Sequence, residues 1–191
     1  QLPPSSSGAY LEPQLNQLVL PAGFLQPPYF NVEATDAMNY GALGAGLAHD
    51  MTHAFDATGA SRDAKGRAQI WWTDADRQEF GKRAQCIVDQ YEGYEIEPGV
   101  HHQGKLVLDE ALGDQAGLHF AYLALKESLA ARPVPTVDGF TPEQQFFLAW
   151  GQFRGEAMSI QMQRKIVKGD SHPVPKFRVN GPMSNLPAFA Q

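Results

Sequence analysis

The sequence contains a single cysteine, Cys86, so no disulfide can close within it and it carries no mark of an oxidising compartment. A lone thiol of this kind is expected to be buried and to pack as a small hydrophobe. No apolar run approaches the roughly 18 residues that crossing a bilayer requires, and the opening QLPPSSSG has neither the charged nor the apolar part of a signal peptide. A membrane span within the sequence is therefore excluded. Positive charge is scarce as well: 15 Lys and Arg stand against 21 Asp and Glu, a formal net charge of -6, with no basic stripe. A phosphate backbone would find no electrostatic footprint here, which excludes nucleic acid as a partner. Internal repeats and low-complexity tracts are absent too.

What is present suits one globular domain or one lobe of a larger enzyme. The 191 residues are 43% hydrophobic, enough for a sizeable core, while 14 Pro and 18 Gly imply long irregular stretches. Residues 1–40 read as extended and irregular chain with one or two edge strands. From Tyr40 to about Phe55 apolar residues fall at helical spacing, and the small residues among them allow close packing. A second helix is expected after Thr73 as N-cap, and a third over about Leu106 to Leu129. Thr141, Pro142 and Gln144 predict a capping box opening a fourth helix that continues to about Ile166. Prolines 173, 175, 182 and 187 argue against further long helix beyond Gly169.

Chemistry concentrates in two short segments. In HDMTH, His49 and His53 are four apart, so a helix presents both rings on one face, at the separation that two ligands of one tetrahedral zinc require. Alone this pattern is weak. In LVLDEALGDQAG, Glu110 and Asp114 repeat the same spacing on another predicted helix, and a carboxylate from a second helix completes a three-ligand catalytic site with one open position. Asp114, one turn on, and Asp56, three residues past His53, are placed to accept the free ring N–H groups of the two histidines and fix their tautomers.

Five segments, PAGFLQPPYF, NYGALGAGLAHDMTHAFDATG, WWT, LDEALGDQAGL and HPVPKFRVNGPMSNLPAF, occur in an order that resembles the C-terminal catalytic region of the neprilysin family of zinc endopeptidases. The resemblance implies a mainly α fold with a small β edge sheet, the thermolysin-like gluzincin lobe of a zincin. It implies Zn2+ held by His49, His53 and Glu110, with Asp56 and Asp114 supporting the ligands. It also implies His172 as donor to the oxyanion, Arg178 as holder of a substrate carbonyl, and Ala9 on a strand that pairs with the peptide backbone. Phe24, Tyr29 and Trp150 fall where the family builds its apolar pocket. The implied reaction is hydrolysis of peptides on the amino side of hydrophobic residues by zinc-bound water, outside the cytoplasm.

Departures qualify that expectation. The family motif is H-E-x-x-H, and Asp50 stands in place of the glutamate that acts as general base. One methylene withdraws the carboxylate by roughly 1 Å, a displacement that can cost about 10²-fold in rate. Gly8 replaces the family's substrate-binding Asn, and Ala45 and Gly46 replace bulkier pocket residues. The alternative is thus a zinc-binding pseudo-peptidase or peptide-binding subunit. The family's large N-terminal helical lobe is not in residues 1–191, so the expectation is a catalytic lobe that is a fragment, or a subunit completed by another chain.

Overall fold

The computed structural model describes residues 2–190. Strands β1 (Tyr10–Glu12) and β2 (Gln17–Val19) form an antiparallel hairpin in which Leu11 faces Leu18. These are the expected edge strands. Helix α1 (Asp36–Asn39) starts at Thr35, whose hydroxyl accepts from Met38 N, four residues earlier than the periodicity predicted. A π turn over Tyr40–Gly44 then joins it to α2 (Ala45–Thr52). At Gly41 a Cβ would stand 2.1 Å from Phe146 O, so only glycine allows this approach of backbone to backbone.

Helix α3 (Asp74–Glu92) opens with a capping box between Thr73 and Asp76. It leads into the short hairpin of β3 (Glu95–Glu97) and β4 (Val100–His101), which the sequence pattern did not reveal. Helix α4 (Leu108–Ala131) carries apolar residues around its whole circumference, as a central helix must. One side joins Leu118, Ala121 and Leu125 to Phe146, Phe147, Trp150 and Met183, and the other joins Ala111 to Ile87, Tyr91, Val167 and Phe177. Each large side chain so buried contributes roughly 1.5–3 kcal/mol.

The fourth predicted helix is two. Helix α5 (Pro142–Phe153) has the expected capping box at Thr141, but α6 (Ile160–Gly169) starts afresh at Ser159, whose hydroxyl accepts from Met162 N. A serine that caps a new helix competes with continuing the old one. Beyond Gly169, contrary to the expectation from the prolines, helix α7 (Pro175–Ser184) runs ten residues. Pro175 occupies the first turn, where its missing N–H is no loss. Cys86, expected to be buried, is exposed on the polar face of α3 and donates to Arg83 O.

The site depends on how α2 lies on α4. At Gly117 a Cβ would meet His49 N at 2.6 Å and Ala45 O at 2.7 Å, both backbone atoms. Gly117→Ala is therefore expected to lower stability by about 1–3 kcal/mol. Gly81→Ala on α3, where nothing lies within 4 Å of the new methyl, should raise stability by roughly 0.5–1 kcal/mol. Thermal denaturation of both variants checks the pair.

Candidate active site

Helix α2 ends at the chemistry. His49 lies in its last turn, His53 is its C-cap, and both rings turn toward α4. Nε2 of His49 and Nε2 of His53 are 3.2 Å apart. Glu110 Oε2 lies 3.3 Å from the first and Oε1 3.5 Å from the second. Ligands bound at about 2.0–2.1 Å around a tetrahedral metal stand roughly 3.3 Å from one another, so these three groups have the spacing of one tetrahedral face. Asp50 is also near: one of its carboxylate oxygens lies within 4.8 Å of the histidine nitrogens. Glu110 approaches both rings more closely, which makes it the better third ligand.

The other ring nitrogens meet the predicted aspartates. His53 Nδ1 is 2.9 Å from Asp56 Oδ2, while Asp56 Oδ1 accepts from Gly59 N at 2.7 Å. His49 Nδ1 is 2.9 Å from Asp114 Oδ1, close enough to pair by charge but without the alignment of a full hydrogen bond. Gly113 makes that approach possible, because a Cβ there would lie 2.8 Å from the His49 ring.

Asp114 is fully buried and is the anchor of the site. Arg154 Nη2 donates to Oδ1 at 2.7 Å; Arg178 donates from Nε to Oδ2 at 2.7 Å and from Nη2 to Oδ1 at 2.9 Å. Burial opposes its charge, yet the two guanidiniums and His49 hold its carboxyl far below the ordinary range. Burial likewise opposes ionisation of Glu110, but His49, then Arg178 and His172, bring it down to about 2. His49 itself is raised: burial disfavours its charge, and Asp114 and Glu110 reverse that. Asp50 shows the opposite balance, since burial raises its carboxyl and the neighbouring histidines only partly offset this.

These groups floor a cleft of about 840 Å³, rimmed by Gly8, Ala9 and Tyr10 on one side and by Ser171, His172 and Pro175 on the other. His172 Nε2 is 3.4 Å from Glu110 Oε1, and its Nδ1 is 2.7 Å from Asp170 Oδ1. Phe24 and Tyr29 form one end of the cleft with Phe153, their rings 4.8 to 6.0 Å apart.

A family model described as Peptidase family M13 matches residues 8–191. The chain belongs to peptidase family M13. It is 39% identical to an endothelin-converting enzyme homolog of Locusta migratoria over 98% of this chain and 26% of that protein. Against human endothelin-converting enzyme 1 the identity is 33%, covering 98% of this chain and 25% of that protein. The zinc metalloprotease of Mycobacterium tuberculosis in complex with an inhibitor superimposes with a TM-score of 0.93 at 38% identity, covering 100% of this chain and 30% of that one. This M13 chain thus spans about a quarter of the length of the curated relatives it matches. Its fold is the zincin lobe, and its cofactor is zinc, which the converging nitrogens and carboxylate fit.

Two expectations change in the M13 chain. Trp150 does not line the cleft: it is fully buried on the α4 side of α5, and Phe153, one turn later, takes its place. Phe153 also fills the space left at Gly46, where a Cβ would stand 2.7 Å from Phe153 Cζ. Arg178 faces the cleft, but Nε and Nη2 are committed to Asp114 and Glu110, so Nη1 is the nitrogen left to meet a ligand. Arg154, Phe153 and Asp170 escaped the sequence reading. Only Asp170 left a local signal, two residues before His172.

Because Asp114 serves two buried cations, Asp114→Asn is expected to destabilise the protein by about 3–5 kcal/mol, more than loss of ligand support alone would do. A chemical denaturation series with and without zinc measures it.

Proposed function

We propose that this chain is the C-terminal catalytic lobe of a zinc endopeptidase that cuts peptides on the amino side of hydrophobic residues. The observation that carries the reading is the convergence of His49 Nε2, His53 Nε2 and the Glu110 carboxylate on one point at the floor of a cleft. In this reading those three residues hold zinc, while Asp114 and Asp56 orient the rings. When bound, zinc supplies a Lewis acid that activates water and polarises the scissile carbonyl.

The protein groups then divide the work. Asp50, raised by burial, takes a proton from the attacking water and passes it to the leaving nitrogen. His172, in its protonated form, donates from Nδ1 to Asp170 and from Nε2 toward the developing oxyanion. Arg178 holds a peptide carbonyl through Nη1. The extended peptide lies along Ala9 and β1, whose second edge is unpaired among the described residues, and adds a strand there. Phe24, Tyr29 and Phe153 receive the hydrophobic side chain.

The whole enzyme needs the remainder of a longer polypeptide or a second chain to close the cleft, and it works outside the cytoplasm. No helix among the described residues is long and apolar enough to cross a membrane. One observation favours a second reading, a zinc-retaining pseudo-peptidase: Asp50 is the shorter carboxylate at the position of the base.

Asp56→Asn is expected to weaken zinc affinity by roughly 10–100-fold, read by chelator competition; an unchanged affinity would remove Asp56 from the site. A peptide assay on the full-length protein, with and without chelator, tests the activity. Asp50→Ala should keep zinc and lose turnover, whereas Asp50→Glu should raise kcat by about 10²-fold, or roughly 2.7 kcal/mol of barrier. Wild-type protein that binds zinc yet leaves every peptide intact would support the pseudo-peptidase.

A further inference from the structure

The endopeptidase reading leaves Arg154 unused, although it borders the pocket that receives the substrate side chain. The last residue of α5 is Phe153, and Arg154 follows as its C-cap. Its guanidinium carbon lies 4.9 Å from the Phe153 ring centre and 5.0 Å from that of Trp150. These faces orient the guanidinium and cover its flat surface with apolar carbon. Nη2 is fixed on Asp114 at 2.7 Å, and Nε is buried without a partner. Nη1 makes no hydrogen bond to a described residue, and the side chain keeps 17% of its surface exposed while lining the cleft.

The carboxylate that Arg154 bonds is not its own. Asp114 is shared by Arg154 and Arg178, and Arg178's other partner, Glu110, is the proposed zinc ligand. Asp50 is the remaining nearby carboxylate, and Glu156, also on the cleft, is solvated. Asp114 is thus the one carboxylate hydrogen-bonded to Arg154 among the described residues, it is shared with Arg178, and Arg154 Nη1 is left without an anionic partner next to an aromatic pocket. A ligand that lays methylenes on Phe24, Tyr29 and Phe153 and ends in an anionic acceptor matches both features.

We propose that Arg154 is a specificity-determining residue: it lets the pocket take glutamate beside hydrophobic residues, and the Glu carboxylate accepts from Arg154 Nη1. This rests on the peptidase reading for the position of the cut. A charge-assisted contact in a partly dry site distinguishes a carboxylate from its neutral isostere, so glutamate is separated from glutamine, which has the same stem.

The test uses full-length zinc-loaded protein and a set of internally quenched peptides, amidated at the C-terminus, that differ only in carrying Glu, Gln or Leu after the cleaved bond. kcat/KM is measured on the wild type, and equilibrium binding of the same peptides on Asp50→Ala. The wild type is expected to favour Glu over Gln by about tenfold, and Arg154→Met to bring that ratio to about one or below, the ratio being read within one variant and so independent of its overall activity. A Glu to Gln ratio of one or less in the wild type overturns the proposal, even if Arg154→Met fails to fold. So does an unchanged ratio in Arg154→Met. If no peptide is cleaved, the peptidase reading fails while the binding ratios still decide the role of Arg154.

Discussion

Everything in the site leans on the carboxylate of Asp114. It is fully buried, it receives Arg154 from the C-cap of α5 and Arg178 from α7, and it faces the His49 ring of α2 from its own helix. A lone buried carboxylate would cost several kcal/mol and would take up a proton instead. Two guanidiniums with short, directed hydrogen bonds reverse that balance, so the charge persists and four elements are tied to one point.

That arrangement explains why the helices carry glycine where they cross. The charge cluster needs α2 within reach of α4, and side chains larger than hydrogen at Gly113 or Gly117 would push the His49 ring or backbone away. Close packing and charge pairing are therefore one constraint. Local propensity gives way to it: α4 keeps two glycines in its interior, each worth roughly 1 kcal/mol of helix stability.

The same cluster divides rigid from adaptable parts of the cleft. His49, Glu110 and Asp114 are held from several sides, while His172 stands half-exposed on a loop and is oriented chiefly by Asp170. The groups proposed to hold zinc thus sit on packed helices. The group proposed for the developing oxyanion sits at the exposed rim. The pocket end is different again, with an aromatic wall made by exchanging a small residue at Gly46 for a large one at Phe153.

Features that depend on neighbours along one helix were legible in the sequence alone. The spacing of His49 and His53, that of Glu110 and Asp114, the caps at Thr73 and Thr141 and the family resemblance all arise from residues three or four apart or from short segments. The contacts of Arg154 and Arg178 with Asp114 join residues 40 and 64 positions apart, and no periodicity encodes them. The break between α5 and α6 belongs with these, because apolar spacing continued across it while Ser159 offered a cap and Arg154 a buried partner. Trp150 and Phe153 lie one turn apart, and the family resemblance pointed to the first alone. Packing of α5 against α4 decided, burying the first and leaving the second to line the cleft.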